Sequence, residues 1–225
     1  MTNERVDVTR AVDGVTVRAK VSPEFADMAE TVLHVMTKDG LGTDPETEGY
    51  RLEKGIDRLR RETPMWWGFA EATPRAVADG YELVTPDFLA DPPIRTDDLT
   101  PMLDIRDKMQ QVALDARVGE VPTRANERVL LTRGWEHTSA LVMIRDEPRP
   151  GDSGWFIQDP HLPRPEGEWA TDDLVAVEAW TLLRDRPELV WAMSLPVGYL
   201  VATEPGRIIE VADETNAVVL RDVVL

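Results

Sequence analysis

Gly151-Asp152-Ser153-Gly154-Trp155 is the stretch of this 225-residue chain with the plainest chemical suggestion, a serine hydroxyl held in a tight turn. Nucleophilic use of Ser153 requires a histidine base and a buried aspartate to orient it. The spacing offers neither. His34 falls opposite the apolar face of a predicted helix, and His137 falls in a predicted turn between strands. Trp155 also stands where a glycine normally follows such a serine. The same residues read equally as an Asp-Ser-Gly turn that delivers a tryptophan to a buried strand. A hydrolase using Ser153 is therefore the weakest of three functional readings, and no residue is assigned as catalytic.

Two metal patterns are incomplete. Asp44-Pro45-Glu46-Thr47-Glu48-Gly49 imitates the opening of a calcium loop, but Gly55 occupies the twelfth position, where a bidentate glutamate is needed. Asp159-Pro160-His161 offers two ligands where a site needs three or four. No metal and no cofactor is expected. The 7 tryptophans are scattered, which favours packing for Trp155, Trp180 and Trp191. Trp66-Trp67 differs, because adjacent strand residues point to opposite faces and one of them is then exposed. That pair is a candidate partner contact, as are the acids Glu166, Glu168, Asp172 and Asp173.

Composition narrows the partners. With 25 Lys+Arg against 42 Asp+Glu the formal charge is −17, which disfavours nucleic acid and anionic lipid, since both are bound through phosphate neutralisation. A protein partner is expected, in particular a basic one steered by the acidic field. The absence of cysteine excludes a disulfide framework, a thiolate nucleophile and Cys-ligated zinc. Met1 to Lys20 has neither a basic head nor a long apolar core, so a cytoplasmic location is expected.

The elements that must position these residues are readable. Asp13-Gly14 predicts a hairpin pairing Val8 with Ala19 and Val6 with Val21. Phe25, Met28, Ala29, Val32, Leu33 and Met36 predict a helix over about 23–38. A weaker helix is expected between Glu46 and Arg61. Thr100-Pro101 opens a third, with Met102, Ile105, Met109, Val112, Ala113 and Ala116 on one face. Strands are predicted at Arg128–Thr132, Ser139–Arg145 and Trp155–Ile157, a buried helix over Asp172–Leu183, and a helical turn at Pro187–Trp191. Tyr199–Thr203 and Ile208–Val211 flank a Pro205-Gly206 turn, and Ala217–Leu225 supplies a last strand. The fold class is α+β: antiparallel sheets with packed helices, divided at Gly119–Asn126 into regions 1–125 and 126–225.

Arg128 to Thr203 resembles a small bacterial domain, the thirty-third family of predicted immunity proteins of polymorphic toxin systems. The resemblance rests on Met143-Ile144-Arg145-Asp146-Glu147-Pro148 running into Asp152-Ser153-Gly154-Trp155, then an acidic segment, Arg186-Pro187-Glu188-Leu189 and Leu195-Pro196-Val197-Gly198. Arg145, Pro148, Asp152, Ser153, Gly154 and Trp155 are its motif residues, read as architecture. Asp159 to Pro165 departs from the family's usual acidic run. The resemblance implies a non-enzymatic protein that neutralises a toxin by binding it. The rival is a small-molecule or peptide-binding module without a toxin, its pocket lined by Trp66 or Trp67. Oligomeric state is not encoded in any motif.

Overall fold

The Asp13-Gly14 pair sets the first element. In the computed structural model, which describes residues 4–39, 54–162 and 169–225, both residues have positive φ, 47° and 77°, as a two-residue hairpin turn requires. Strands β1 (Val6–Val12) and β2 (Val15–Val21) pair with Val6 opposite Val21 and Val8 opposite Ala19. This is the register expected from the sequence. A 3-10 turn at Pro23–Phe25 leads into α1 (Ala26–Thr37), which buries Ala29, Val32, Leu33 and Met36 and packs on β1 and β2.

Helix α2 (Gly55–Arg60) lies against α1. The approach is close enough that a Cβ on Gly55 would stand 1.9 Å from the Thr37 carbonyl oxygen. Arg58 is buried there and donates to the Met36 carbonyl at 2.7 Å. Strands β3 (Met65–Trp67), β4 (Ala70–Val77), β5 (Gly80–Asp87) and β6 (Ile94–Thr96) complete a six-stranded sheet ordered β1-β2-β5-β4-β3, with β6 on β5. Its β2–β5 pair is parallel and the rest are antiparallel, so the sheet is mixed.

Opposite charges lie close together on this sheet. Lys20 meets Asp97 at 2.6 Å, Arg18 meets Asp79 at 2.5 Å and Arg75 meets Glu82 at 2.5 Å. A cleft of about 120 Å³ opens among Asp7, Arg18, Lys20, Glu82 and Asp97, well below the roughly 300 Å³ of a small ligand site. The hydrogen bond from Lys20 holds the Asp97 carboxyl below its ordinary range, and the same bond holds the Lys20 ammonium above its own. The pair therefore stabilises fully above the unfolded carboxyl value of about 3.9 and below the unfolded lysine value of about 10.4. Its contribution is lost as pH falls through the lowered Asp97 value or rises through the raised Lys20 value. Solvent screening keeps it small, so Asp97→Asn is expected to cost at most about 1 kcal/mol at neutral pH. Urea midpoints of the two proteins should converge on acidification; a gap that persists once the Asp97 carboxyl of the unmodified chain is protonated would refute this origin.

Helix α3 (Thr100–Asp115) starts with the Thr100 amide donating to Asp98 Oδ1 at 3.0 Å. It buries the predicted face, from Met102 through Met109, Val112 and Ala113. The chain divides within it into two compact units, Met1–Arg106 and Asp107–Leu225. Gly119–Asn126 falls in the second, where the Val121 and Thr123 amides donate to the Ser194 and Met193 carbonyls at 2.8 and 3.1 Å.

The second unit carries β7 (Arg128–Thr132), β8 (Leu141–Arg145), β9 (Asp152–Gln158), β10 (Leu174–Glu178), α4 (Pro187–Ala192), β11 (Leu200–Glu204), β12 (Arg207–Ala212) and β13 (Val218–Val223). They form a seven-stranded sheet ordered β10-β7-β9-β8-β11-β12-β13. Only its β7–β9 pair is parallel among these described strands. The inner face buries Val129, Leu131, Met143, Trp155, Ile157 and Val201, and α4 packs on β11 and β12.

The expected helix over Asp172–Leu183 does not form. The segment is a 3-10 turn (Thr171–Asp173), edge strand β10 and a second 3-10 turn (Ala179–Leu183). A short apolar run has no period that separates helix from strand, and Val175 and Val177 favour the extended form beside β7. Trp180 is consequently half-buried, whereas Trp155 and Trp191 are in the core.

Candidate functional site

Strand β8 turns Leu141, Met143 and Arg145 inward, so alternation alone delivers an arginine to the core. Arg145 is 2% exposed. Its Nε donates to the Ser153 carbonyl at 3.3 Å, and its Nη1 donates to the carbonyls of Leu195, at 2.6 Å, and of Val121. The guanidinium also lies 5.5 Å from the centre of the Trp155 ring, within cation–π range. Burial pushes its pKa below the ordinary arginine value, against the attraction of Glu127. One side chain thus joins β8, β9, the 119–126 segment and the chain leaving α4.

The turn before β9 serves the same arrangement. Arg149 and Asp152 exchange backbone hydrogen bonds at 3.0 and 2.8 Å, and Asp152 Oδ1 accepts from the Gly154 amide at 2.9 Å. Gly154 has φ of 77°, and a Cβ there would stand 2.2 Å from the Asp146 carbonyl oxygen. Only glycine fits this crossing. Ser153 is fully buried; its hydroxyl donates to the Arg128 carbonyl at 2.7 Å and accepts from the Trp155 amide at 3.2 Å. The proton a nucleophile must surrender to a base is directed at a backbone carbonyl, and His34, His137 and His161 are all exposed. The hydrolase reading fails on this geometry.

A second polar cluster lies beneath β11. Glu188 is fully buried and pairs with Arg186 Nε, while its other oxygen accepts from the Gly206 amide at 3.2 Å. Arg186 further donates to the Thr138 carbonyl at 2.9 Å and to Thr203 Oγ1 at 3.4 Å. These bonds tie the 3-10 turn at Trp135–His137, the start of α4 and the β11–β12 turn together.

The outer face of the sheet is different. Cross-strand register places Ala176, Leu130, Phe156, Ile144 and Leu200 in one row over five strands. Leu130 and Ile144 are each 37% exposed. Trp169 leans on Phe156 with ring centres 6.2 Å apart. Immediately after it, Asp172 and Asp173 are exposed in the 3-10 turn that opens β10. Sequence reasoning missed this row, although Val129-Leu130-Leu131, Val142-Met143-Ile144 and Trp155-Phe156-Ile157 carry its signal. A strand wet on one face alternates, and these do not.

Residues 108–214 match the family model of the Imm33-like domain. The match contains the whole resembling segment and extends it backward into α3 and forward past β12. No curated protein and no solved structure matches the chain.

Trp66 and Trp67 are half-buried on β3 in the first unit. Glu166, Glu168 and the calcium-loop imitation Asp44–Gly49 lie outside the described residues. Among the described residues no group of three or more metal-ligating side chains converges, and no helix is long and apolar enough to cross a membrane.

Proposed function

We propose that this is a cytoplasmic immunity-type protein that neutralises a toxin by direct binding rather than by catalysis. The carrying observation is the Imm33-like match over residues 108–214. The arrangement of its motif supports the non-catalytic part. The Arg145, Asp152 and Ser153 side chains and the Gly154 amide spend their hydrogen bonds on one another and on the backbone, which leaves binding to the surface. Pro148 precedes the turn, its nitrogen 3.2 Å from where a Cβ on Gly154 would stand, and is read as a structural residue. A charge of −17 supports a basic partner. Trp66, Trp67, Asp172 and Asp173, with Glu166 and Glu168, are the contact candidates read from the sequence.

Co-expression provides the test. Toxin domains encoded beside this gene are induced with and without the full chain, and growth is followed. Rescue by the chain, together with a stable complex of the purified pair, is expected for one of them. Growth arrest that the chain never relieves, with no complex formed, would overturn the reading.

A further inference from the structure

We infer that the toxin docks on the outer face of the second unit's sheet, over the row Leu130, Phe156, Ile144 and Leu200, and that it presents an apolar anchor flanked by lysine or arginine. The inference rests on the immunity reading and supplies its surface. Three observations carry it.

The first is the row itself. Sheets covered on one side carry polar residues on the other, yet here five consecutive strands place apolar side chains outward in register. Val142 and Ala202 form a neighbouring apolar pair on β8 and β11. A contiguous apolar patch of this kind marks a contact surface. Built on paired strands, it needs little backbone ordering when a partner arrives.

The second is the aromatic element. Trp169 and Phe156 meet at a tilt of 56° with ring centres 6.2 Å apart, and both remain only half-buried. Large aromatics that are partly covered are the residue types that dominate interface energies.

The third is charge. Beyond the row, on β12 and β13, the cations Arg207 and Arg221 are engaged by Glu204 at 2.5 Å and by Glu210 at 3.2 Å, and Arg128 is the exposed cation of β7 itself. Asp172 and Asp173 follow Trp169 closely with exposed carboxylates, beside Arg133, whose Nε donates to the Asp172 backbone carbonyl at 2.6 Å. Asp146 and Glu147, also exposed, follow directly after the end of β8. An apolar centre with an acidic border repels a second copy of this chain and complements a basic protein. That excess of acid selects the occupant: a basic partner rather than a self-dimer.

The test uses the full chain and the toxin that it rescues, inactivated for expression, in binding measurements at low and high salt. Ile144→Asp is expected to weaken binding by about 100-fold. Asp172→Lys with Asp173→Lys is expected to slow association by about tenfold and to flatten its salt dependence. Leu114→Asp, at an exposed apolar position on α3, should bind as the unmodified chain does. Far-ultraviolet circular dichroism and melting of every variant separate lost binding from lost fold, and the charge reversals keep the proposal testable if Ile144→Asp misfolds. Unmodified protein that binds no toxin overturns the immunity reading itself. Binding that survives both the Ile144 and the Asp172/Asp173 changes overturns the docking face and leaves the immunity reading standing. Sedimentation showing that the outer face is occupied by a second copy, released by Ile144→Asp, would also overturn it.

Discussion

Arg145→Met is expected to destabilise the second unit by about 3–5 kcal/mol, a large fraction of the roughly 5–15 kcal/mol that holds an ordinary domain together. Methionine fills much of the volume and keeps contact with Trp155, so the loss is that of the hydrogen bonds together with the cation–π contact. The carbonyls of Ser153 and Leu195 would remain in the core without this donor, and that of half-covered Val121 would lose it too; each stranded buried acceptor costs about 1–3 kcal/mol. Arg145→Lys keeps the charge but loses the planar fork that reaches three directions, and should recover less than half of the deficit. Ser153→Ala removes the hydroxyl's bonds to the Arg128 carbonyl and from the Trp155 amide and should cost about 1–2 kcal/mol. Denaturant unfolding followed through tryptophan fluorescence gives all three values. An Arg145→Met protein that unfolds with the unmodified chain would show that the carbonyls find water or relax, and that the arginine does not organise the unit.

The contrast between Arg145 and the hairpin explains what could be read from the chain. Asp13-Gly14 specifies its turn from two adjacent residues, so the register of β1 and β2 followed without any distant information. Helix α3 was legible for a similar reason, since Met102 through Ala116 repeat at helical spacing. Arg145 was visible as part of a motif, but its partners were not. They are backbone carbonyls brought from Val121 and Leu195, and a carbonyl has no residue-type signature. Leu174–Leu183 failed in the opposite way: apolar on most sides, it satisfied a buried helix as well as an edge strand with a 3-10 turn. Pairing with β7 decided it.

A motif made of internal bonds also limits what the resemblance can tell. Gly154 is required by the Asp146 carbonyl, Asp152 by the Gly154 amide, and Ser153 by the Arg128 carbonyl. These requirements fix how β8 passes into β9. They do not touch the outward row, where Leu130, Phe156 and Ile144 can vary without disturbing the inner bonds. The bonds that carry the resemblance therefore lie on the inner face of these strands, and they say nothing about what the outer face meets.

Glu188→Gln provides the second large expected effect. Glu188 is wholly buried and faces Arg186, itself 5% exposed. Neutralising the carboxylate leaves the guanidinium without its counter-charge, and breaking such a pair on one side costs about 3–5 kcal/mol. Glutamine also turns an amide group toward a donor at either Arg186 Nε or the Gly206 amide, since only one of its two terminal atoms accepts. The paired replacement Arg186→Leu with Glu188→Leu removes both charges and should lie nearer the unmodified chain than Glu188→Gln does, by at least about 1 kcal/mol. That ordering distinguishes a mutually dependent ion pair from a site where any change is simply disruptive. Thr138 and Thr203, which accept from Arg186, set the limit on recovery, because the double replacement leaves their oxygens to find other donors. Equal losses in the single and double variants would mean that those threonine bonds, and not the charge pair, hold α4 against the β11–β12 turn.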